Sequence, residues 1–490
     1  MKKLALHFAG MRRRYPDDVL MILFDIDGTI LDMRYLIRHV LVEFDRAHGT
    51  SFFEGLTVSD ITVHENRVDA LLDTLRVPVE ERQRILDFWL ERRWLTSSIM
   101  EAHKPFAGVM DIIRWMQMQP NVEVGLNTGR PDSLRADTLR SLNALGKEYN
   151  VRFDSELLHM NSGDWEEGVP QSKVAGIRRF QQDGYHVFAI LDNEPATLAA
   201  VAELDGCEEI LPLHAHTTFE SETGQLPSCS VCGSDYVLSD LASEDTLPEH
   251  IQFAWHGVND RANLRQFLAS DVEWGEVDVR CDPRTGELIL HHDLLEPDSI
   301  SEPEPLLELD EVVERINKFG KSFKFHFKEG DATVDHVLEM LAADAVAQSR
   351  LWFNGDIEEV GEQGFRKLSL AFPEAIVQCP IDAALVPQIL EAPEAARQEL
   401  LRLQSWGINR FSVAWGPAHM AQVMDRLAEW GFEANIYNVP DLDAFLQAVL
   451  LEPRSITADF NFPKWHYYGR GSGQDGRYYE YSVEETSPRS

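Results

Sequence analysis

Two aspartates end the first strongly apolar stretch of the chain, where Val19-Leu20-Met21-Ile22-Leu23-Phe24 runs into Asp25-Ile26-Asp27-Gly28-Thr29. On an extended backbone Asp25 and Asp27 point the same way, and the glycine permits a turn behind them. Carboxylates at the carboxyl end of a buried parallel strand lie where open α/β sheets bind ligands. There they can attack, exchange protons or hold a cation. An ordinary acidic turn would account for Asp25 alone. It does not account for Thr128 after the apolar stretch Val122-Glu123-Val124-Gly125-Leu126, Lys173 at the opening of a helical stretch, and Asp192 after Val187-Phe188-Ala189-Ile190-Leu191. A second set of such groups follows in the other half of the chain. His256 ends an apolar stretch, Glu276 and Asp278 alternate along another, His292-Asp293 end a third, and Lys324, His326 and Lys328 alternate with three phenylalanines.

The elements that must position the first set follow from hydrophobic periodicity. The stretch before Asp25 is too short for a typical helix and reads as a strand buried on both faces. Residues 33–104 carry helical spacing (Leu36, Val40, Leu41, Phe44; Val68, Leu71, Leu72, Leu75; Ile85, Phe88, Trp89) and no good buried strand. A segment of that length between a strand and the next element is expected to be a helical insertion that excludes water from the Asp25 site. An amphipathic helix around Val109–Met116 precedes the strand that ends before Thr128. Helices are expected over 133–146 and from Ser172 onward, before the strand that ends at Asp192. This alternation predicts a doubly wound parallel sheet.

The motifs Asp25-x-Asp27-Gly28-Thr29, Thr128, Lys173 and Asp192, in this order over about residues 19–220, resemble those of the haloacid-dehalogenase-like hydrolases. The helical insertion falls where that family carries its cap. The resemblance implies that Asp25 is a nucleophile forming an aspartyl phosphate and that Asp27 is the acid and base. It also implies that Thr128 and Lys173 hold the phosphoryl group, and that Mg²⁺ sits between Asp25, the backbone carbonyl of Asp27, and Asp192. One departure is present: Asn193 and Glu194 follow Asp192 where a second aspartate is common, which leaves Glu194 to assist the metal directly or through water.

Residues 221–250 are rich in Ser, Glu, Gly, Pro and Asp and are expected to be an acidic linker. Near it, His214, His216, Cys229 and Cys232 could form a zinc site, but the histidine spacing is unusual and free thiols are the preferred reading. Beyond it, His256-Gly257-Val258-Asn259, Glu276-Val277-Asp278, His292-Asp293, Phe325-His326-Phe327-Lys328 and Trp352-Phe353-Asn354 resemble the glycerophosphodiester phosphodiesterase-like barrels. Within that superfamily the menorin family is the closer likeness, over about residues 251–468. A (β/α)₈ TIM-barrel-like second domain follows from this resemblance. So do His256 and His292 as acid and base, Glu276, Asp278 and His326 as ligands of a divalent cation, and Lys328 facing the phosphate. Gly257 stands where those diesterases usually have Arg, and His326 stands where they have an acidic residue. A nitrogen ligand shifts metal preference towards transition metals. Residues 469–490 are expected to be a disordered tail.

At 490 residues the chain is too long for one core. A formal net charge of −37 disfavours nucleic acid and anionic lipid surfaces as general partners. A small phosphorylated substrate remains compatible, because a metal ion and a few cations reverse the field inside one pocket. No apolar run is long enough to cross a bilayer, the apolar part of the first ten residues is short and contains His7, and five cysteines give no disulfide framework; together these read as cytoplasmic. The expectation is an α/β protein of two domains. A Mg²⁺-dependent phosphomonoester hydrolase (1–220, cap 33–104) is fused to a metal-dependent phosphodiesterase-like barrel, with the two acting in series. The alternative is a barrel that only binds a ligand or partner.

Overall fold

The computed structural model describes residues 1–163, 168–204, 206–215, 225–294, 306–330, 332–344, 346–416, 418–458, 470–472 and 478–480. The chain divides into two compact units, Met1–Ala242 and Ser243–Ser490.

The first unit is built on a parallel sheet of β1 (Leu20–Phe24), β2 (Val122–Pro131), β3 (Leu158–Asn161), β4 (His186–Asp192), β5 (Leu211–Ala215) and β6 (Val231–Gly233). Their order across the sheet is β3-β2-β1-β4-β5-β6. All five residues of β1 are buried, as its unbroken apolar sequence requires of a strand covered on both faces. The connections leave β1 towards β2 and later return to its other side at β4, so the crevice beyond β1 and β4 is the topological switch point. Asp25 lies there.

The insertion contains the helices Met33–His48, Val68–Thr74, Val79–Arg92 and Thr96–Ala102, with turns and two short 3-10 segments between the first two. Asp32 caps the first by accepting from the Arg34 N–H (3.2 Å), and Gly49 ends it in the left-handed conformation. Leu36, Val40, Leu41 and Phe44 are buried as their spacing predicts, with Phe88 edge-on to Phe44. The first residues are not loose: Lys2–Arg14 form a helix that buries Leu4, Phe8 and Met11, and Phe8 stacks on Phe188 of β4.

The expected linker is different from its composition. Residues 225–242 belong to the first unit. Val231–Gly233 extends the sheet, Leu238 and Leu241 are buried, and the Tyr236 hydroxyl donates to the Thr29 carbonyl (2.8 Å). A Cβ at Gly108 would come within 2.2 Å of the Tyr236 carbonyl, so this polar segment is seated against backbone that only glycine leaves open. Few apolar residues suffice because strand pairing and one side-chain hydrogen bond hold it. Cys229 and Cys232 are exposed thiols, His214 bonds to the Asn193 carbonyl, and His216 lies outside the described residues.

The second unit closes eight parallel strands into a barrel: β7 (Gln252–Trp255), β8 (Trp274–Cys281), β10 (Ser322–Phe327), β11 (Leu351–Gly355), β12 (Ile376–Pro380), β13 (Arg410–Ala414), β14 (Glu433–Val439) and β15 (Ser455–Ala458). The short β9 (Leu288–Leu290) runs antiparallel beside β8. Phe323, Phe325 and Phe327 are buried, with Phe325 stacked on Phe353, while Lys324 and His326 reach the carboxylates of β8. Within the stretch expected as a disordered tail, Arg470–Ser472 pairs with Tyr478–Glu480. Among the described residues, no helix is long and apolar enough to cross a membrane.

Candidate active sites

The end of β1 is tied to β4 by the Asp25 N–H, which donates to the Leu191 carbonyl (2.9 Å). Lys173, on the helix Val169–Gln182, places Nζ 3.0 Å from Asp25 Oδ1 and 2.6 Å from Asp192 Oδ2. All three side chains are buried. The Glu194 N–H donates to Asp192 Oδ1 (2.8 Å). The Asn193 side chain reaches back over this group. With its amide nitrogen turned inward it donates to Asp25 Oδ2 (3.3 Å) and to the Asp27 carbonyl (3.1 Å). Gly28 (φ 75°) makes the approach feasible, since a Cβ there would lie 2.5 Å from the Asn193 side chain.

Asp27 has a partner that the sequence reading did not assign. Arg130, fully buried, grips it with Nε to Oδ2 (2.7 Å) and Nη2 to Oδ1 (2.5 Å), donates to Thr138 Oγ1 and lies over the Trp94 ring. The Arg130 N–H in turn donates to Thr128 Oγ1 (3.2 Å). The available signal was period two: Thr128 and Arg130 lie two apart on β2. Burial raises the Asp27 carboxyl, but the Arg130 guanidinium outweighs it and holds the group below its ordinary value.

Asp25 behaves oppositely. Burial pushes it up to about 8, with Asp192 and Asp27 adding to the rise against Lys173. Lys173 is held above its ordinary value because, although burial opposes its charge, Asp192 and Asp25 favour it more. With Asp27 matched to Arg130, two buried carboxyl groups share one ammonium, so Asp25 keeps its proton near neutral pH unless a cation takes that proton's place. A site of this kind fits a divalent cation, with Asp25, the Asp27 carbonyl and Asp192 as its oxygen donors. Asp25, Asp27 and Lys173 line a cavity of about 500 Å³ whose wall also includes His64, Glu65 and Glu194. His64 Nε2 lies 3.2 Å from Glu194 and 3.3 Å from Glu65. His64 and Glu65, on the helical insertion, were not singled out in sequence, where nothing separates them from surface residues.

The barrel cluster is set by strand register: Glu276 is opposite Lys324, and Asp278 opposite His326. Lys324 Nζ lies 3.5 Å from Glu276 Oε1 and donates to Thr457 Oγ1 (2.7 Å), above the Trp352 ring. His326 Nδ1 lies 3.4 Å from Glu276 Oε1 and 3.1 Å from Asp278 Oδ1, and Lys328 Nζ lies 3.2 Å from the latter. Asn259 Nδ2 donates to Asp278 Oδ2 (2.5 Å). Burial raises Glu276, but Lys324, His256 and His326 outweigh it and bring it down to about 2. Asp278 is likewise held well below its ordinary value.

Three of the four carboxylate oxygens are thus faced by nitrogen donors. Glu276 Oε2, 3.9 Å from His256 Nε2, is the fourth. His326 and both lysines lie against these carboxylates, at the place where the sequence leads to the expectation of a divalent cation. Among the described residues of either unit no group of three or more His, Cys, Asp or Glu side chains is arranged to hold a metal; at the first site the donors are two carboxylates and one backbone carbonyl. His256 and His292 do line one cavity, of about 50 Å³, at the ends of the strands. Arg280, two residues beyond Asp278, fixes that corner by donating to the His292 carbonyl (3.0 Å) and to Glu329 (3.0 Å).

No protein-family model matches the chain, and no curated protein matches it. Among solved structures it is similar to an Oleispira antarctica phosphodiesterase in complex with the product sn-glycerol-3-phosphate (16% identity, 44% of this chain and 95% of that one, TM-score 0.34). It is also similar to a glycerophosphodiester phosphodiesterase from Agrobacterium tumefaciens (13% identity, 43% and 96%, TM-score 0.32) and to CbbY from Rhodobacter sphaeroides in complex with phosphate (15% identity, 42% and 90%, TM-score 0.26). The fold itself is given by the two strand orders.

Proposed function

We propose that the first unit is a phosphomonoester hydrolase acting on a small phosphorylated substrate, with Asp25 as nucleophile. The observation that carries this reading is that Asp25 and Lys173, buried and joined to Asp192, line one cavity with Asp27, Thr128 and Arg130. An Asp25 carboxylate oxygen attacks phosphorus, the bond to the leaving oxygen breaks, and Asp27 gives that oxygen a proton. Asp27 then takes a proton from water, the water oxygen attacks phosphorus, and the Asp25–phosphorus bond breaks to release phosphate. Lys173 and Thr128 hold the charge of the phosphoryl group. Mg²⁺ held by Asp25, the Asp27 carbonyl and Asp192 would supply neutralising charge for the attacking carboxylate and the phosphoryl oxygens. Arg130 favours the ionised form of Asp27, so its acid role requires that this pairing loosen when substrate enters.

For the barrel, the reading as a diesterase feeding the first unit draws on the shared cavity of His256 and His292. The reading as a ligand-binding barrel draws on the contacts of Lys324, His326 and Lys328 with Glu276 and Asp278, which balance those carboxylates from within the chain.

The test is hydrolysis of a generic phosphomonoester and a generic phosphodiester with Mg²⁺ and with Mn²⁺, using wild type, Asp25→Asn and His256→Ala. Monoester activity lost only in Asp25→Asn, together with trapping of beryllium fluoride at Asp25, supports the reading. Monoester activity that survives in Asp25→Asn refutes it.

A further inference from the structure

Asp27 has to hold a proton when the leaving oxygen needs one, yet the guanidinium that grips it is fixed from several sides. Arginine has only N–H donors, so the ring atom that Arg130 Nη2 faces, His103 Nε2 (3.4 Å), has to accept. That fixes the tautomer. His103 carries its proton on Nδ1 and donates it to Ser141 Oγ (2.8 Å), whose hydroxyl donates to the Ile99 carbonyl (3.4 Å). Burial, with Arg130 beside it, pushes His103 down to about 3, so the buried ring stays neutral. Arg130 Nη1 donates to Thr138 Oγ1 (3.1 Å), and the guanidinium lies over the Trp94 ring. The guanidinium is thus shared between Asp27 on one side and His103 and Thr138 on the other. Trp94 and His103 both fall within the insertion (33–104), and His103 does not line the cavity that Asp27 and Arg130 border.

We infer that His103 is a positioning residue for proton transfer at Asp27, acting through Arg130. When Asp27 takes up a proton its grip on the guanidinium weakens, and an Arg130 with no other acceptor would be free to turn. With His103 Nε2 and Thr138 Oγ1 still accepting, the guanidinium plane stays in place and keeps Asp27 directed at the leaving oxygen. The insertion therefore does more than exclude water: it supplies the acceptor that keeps the acid oriented. This rests on the reading of the first unit as a phosphomonoester hydrolase.

The experiment compares kcat/KM for propyl phosphate with that for p-nitrophenyl phosphate, in the full chain with Mg²⁺. An alkoxide leaves only with a proton, whereas p-nitrophenolate needs none, so the ratio of the two reads acid catalysis and not general damage. His103→Phe, which keeps a ring and removes the acceptor, should lower the propyl to p-nitrophenyl ratio at least about tenfold. His103→Gln, whose Oε1 can accept from Arg130, should restore it to within about threefold of wild type. Should His103→Phe fail to fold by circular dichroism, Ser141→Ala carries the same test in the same direction, because it frees the imidazole to take the other tautomer. A ratio that the folded variant leaves where it was, with both esters slowed alike or not at all, would overturn the inference. So would an equal fall in His103→Gln. Wild type that hydrolyses neither ester would defeat the hydrolase reading, and the inference with it.

Discussion

Each unit buries carboxylates at the ends of parallel strands, but the two balance their charge differently. In the first, Asp25 and Asp192 share Lys173, and Asp25 is pushed up to about 8. In the barrel, Glu276 and Asp278 face two lysines and a histidine, and Glu276 is brought down to about 2. Acidic residues at strand ends therefore do not by themselves mark a metal site. What matters is whether the register of the neighbouring strand brings cations of its own. The first site leaves a carboxyl group that ionises readily only when an external cation takes its proton's place, whereas the second holds its carboxylates ionised with cations of its own.

The largest expected effect is on the first site alone. Asp25→Asn should lower monoester hydrolysis by at least about a thousandfold. Lys173→Met should cost about a hundredfold to a thousandfold in kcat, because it removes charge that the transferring group needs. If Lys324→Met produced a comparable loss of monoester hydrolysis, the separation of the two sites would fail.

The pH dependence of stability should have opposite signs at the two sites in metal-stripped protein. Asp25, raised to about 8 in the folded chain from an ordinary ~3.9, holds its proton more tightly when folded. Its contribution is present below about pH 4 and is lost as pH rises towards 8. Glu276, lowered to about 2 from ~4.3, contributes above about pH 4 and loses this as pH falls towards 2. Scanning calorimetry across pH should show the first trend flattened by Asp25→Asn and the second untouched by it. The smallest effect is structural: Tyr236→Phe removes the hydroxyl that bonds Thr29 and should cost about 1 kcal/mol in urea unfolding. A null result would mean that this segment is held by strand pairing alone.

The apolar strands were legible because burial on both faces leaves long unbroken apolar stretches, as in β1 and β4. Asp25 and Asp192 were legible because each lies at the end of such a stretch; Thr128 lies inside β2, which continues to Pro131, and Lys173 within the helix Val169–Gln182, so these two were legible only by their order in the motif set. Arg130 was not, since an arginine in Thr-Gly-Arg-Pro looks solvent-exposed until the fold buries it against Trp94. In the barrel, the shared face of Lys324, His326 and Lys328 followed from period two. That they would neutralise Glu276 and Asp278 did not, because strand order and register are set by closure of the barrel. The segment 225–242 misleads by composition: its polar sequence hides a strand and a buried end.

Counting bound Mn²⁺ by electron paramagnetic resonance in wild type, Asp192→Asn and Glu276→Gln tests the difference between the sites most directly. One tightly bound ion per chain, lost in Asp192→Asn and kept in Glu276→Gln, is the expected result. A second ion in wild type that disappears with Glu276→Gln, or an ion that survives Asp192→Asn, would contradict it.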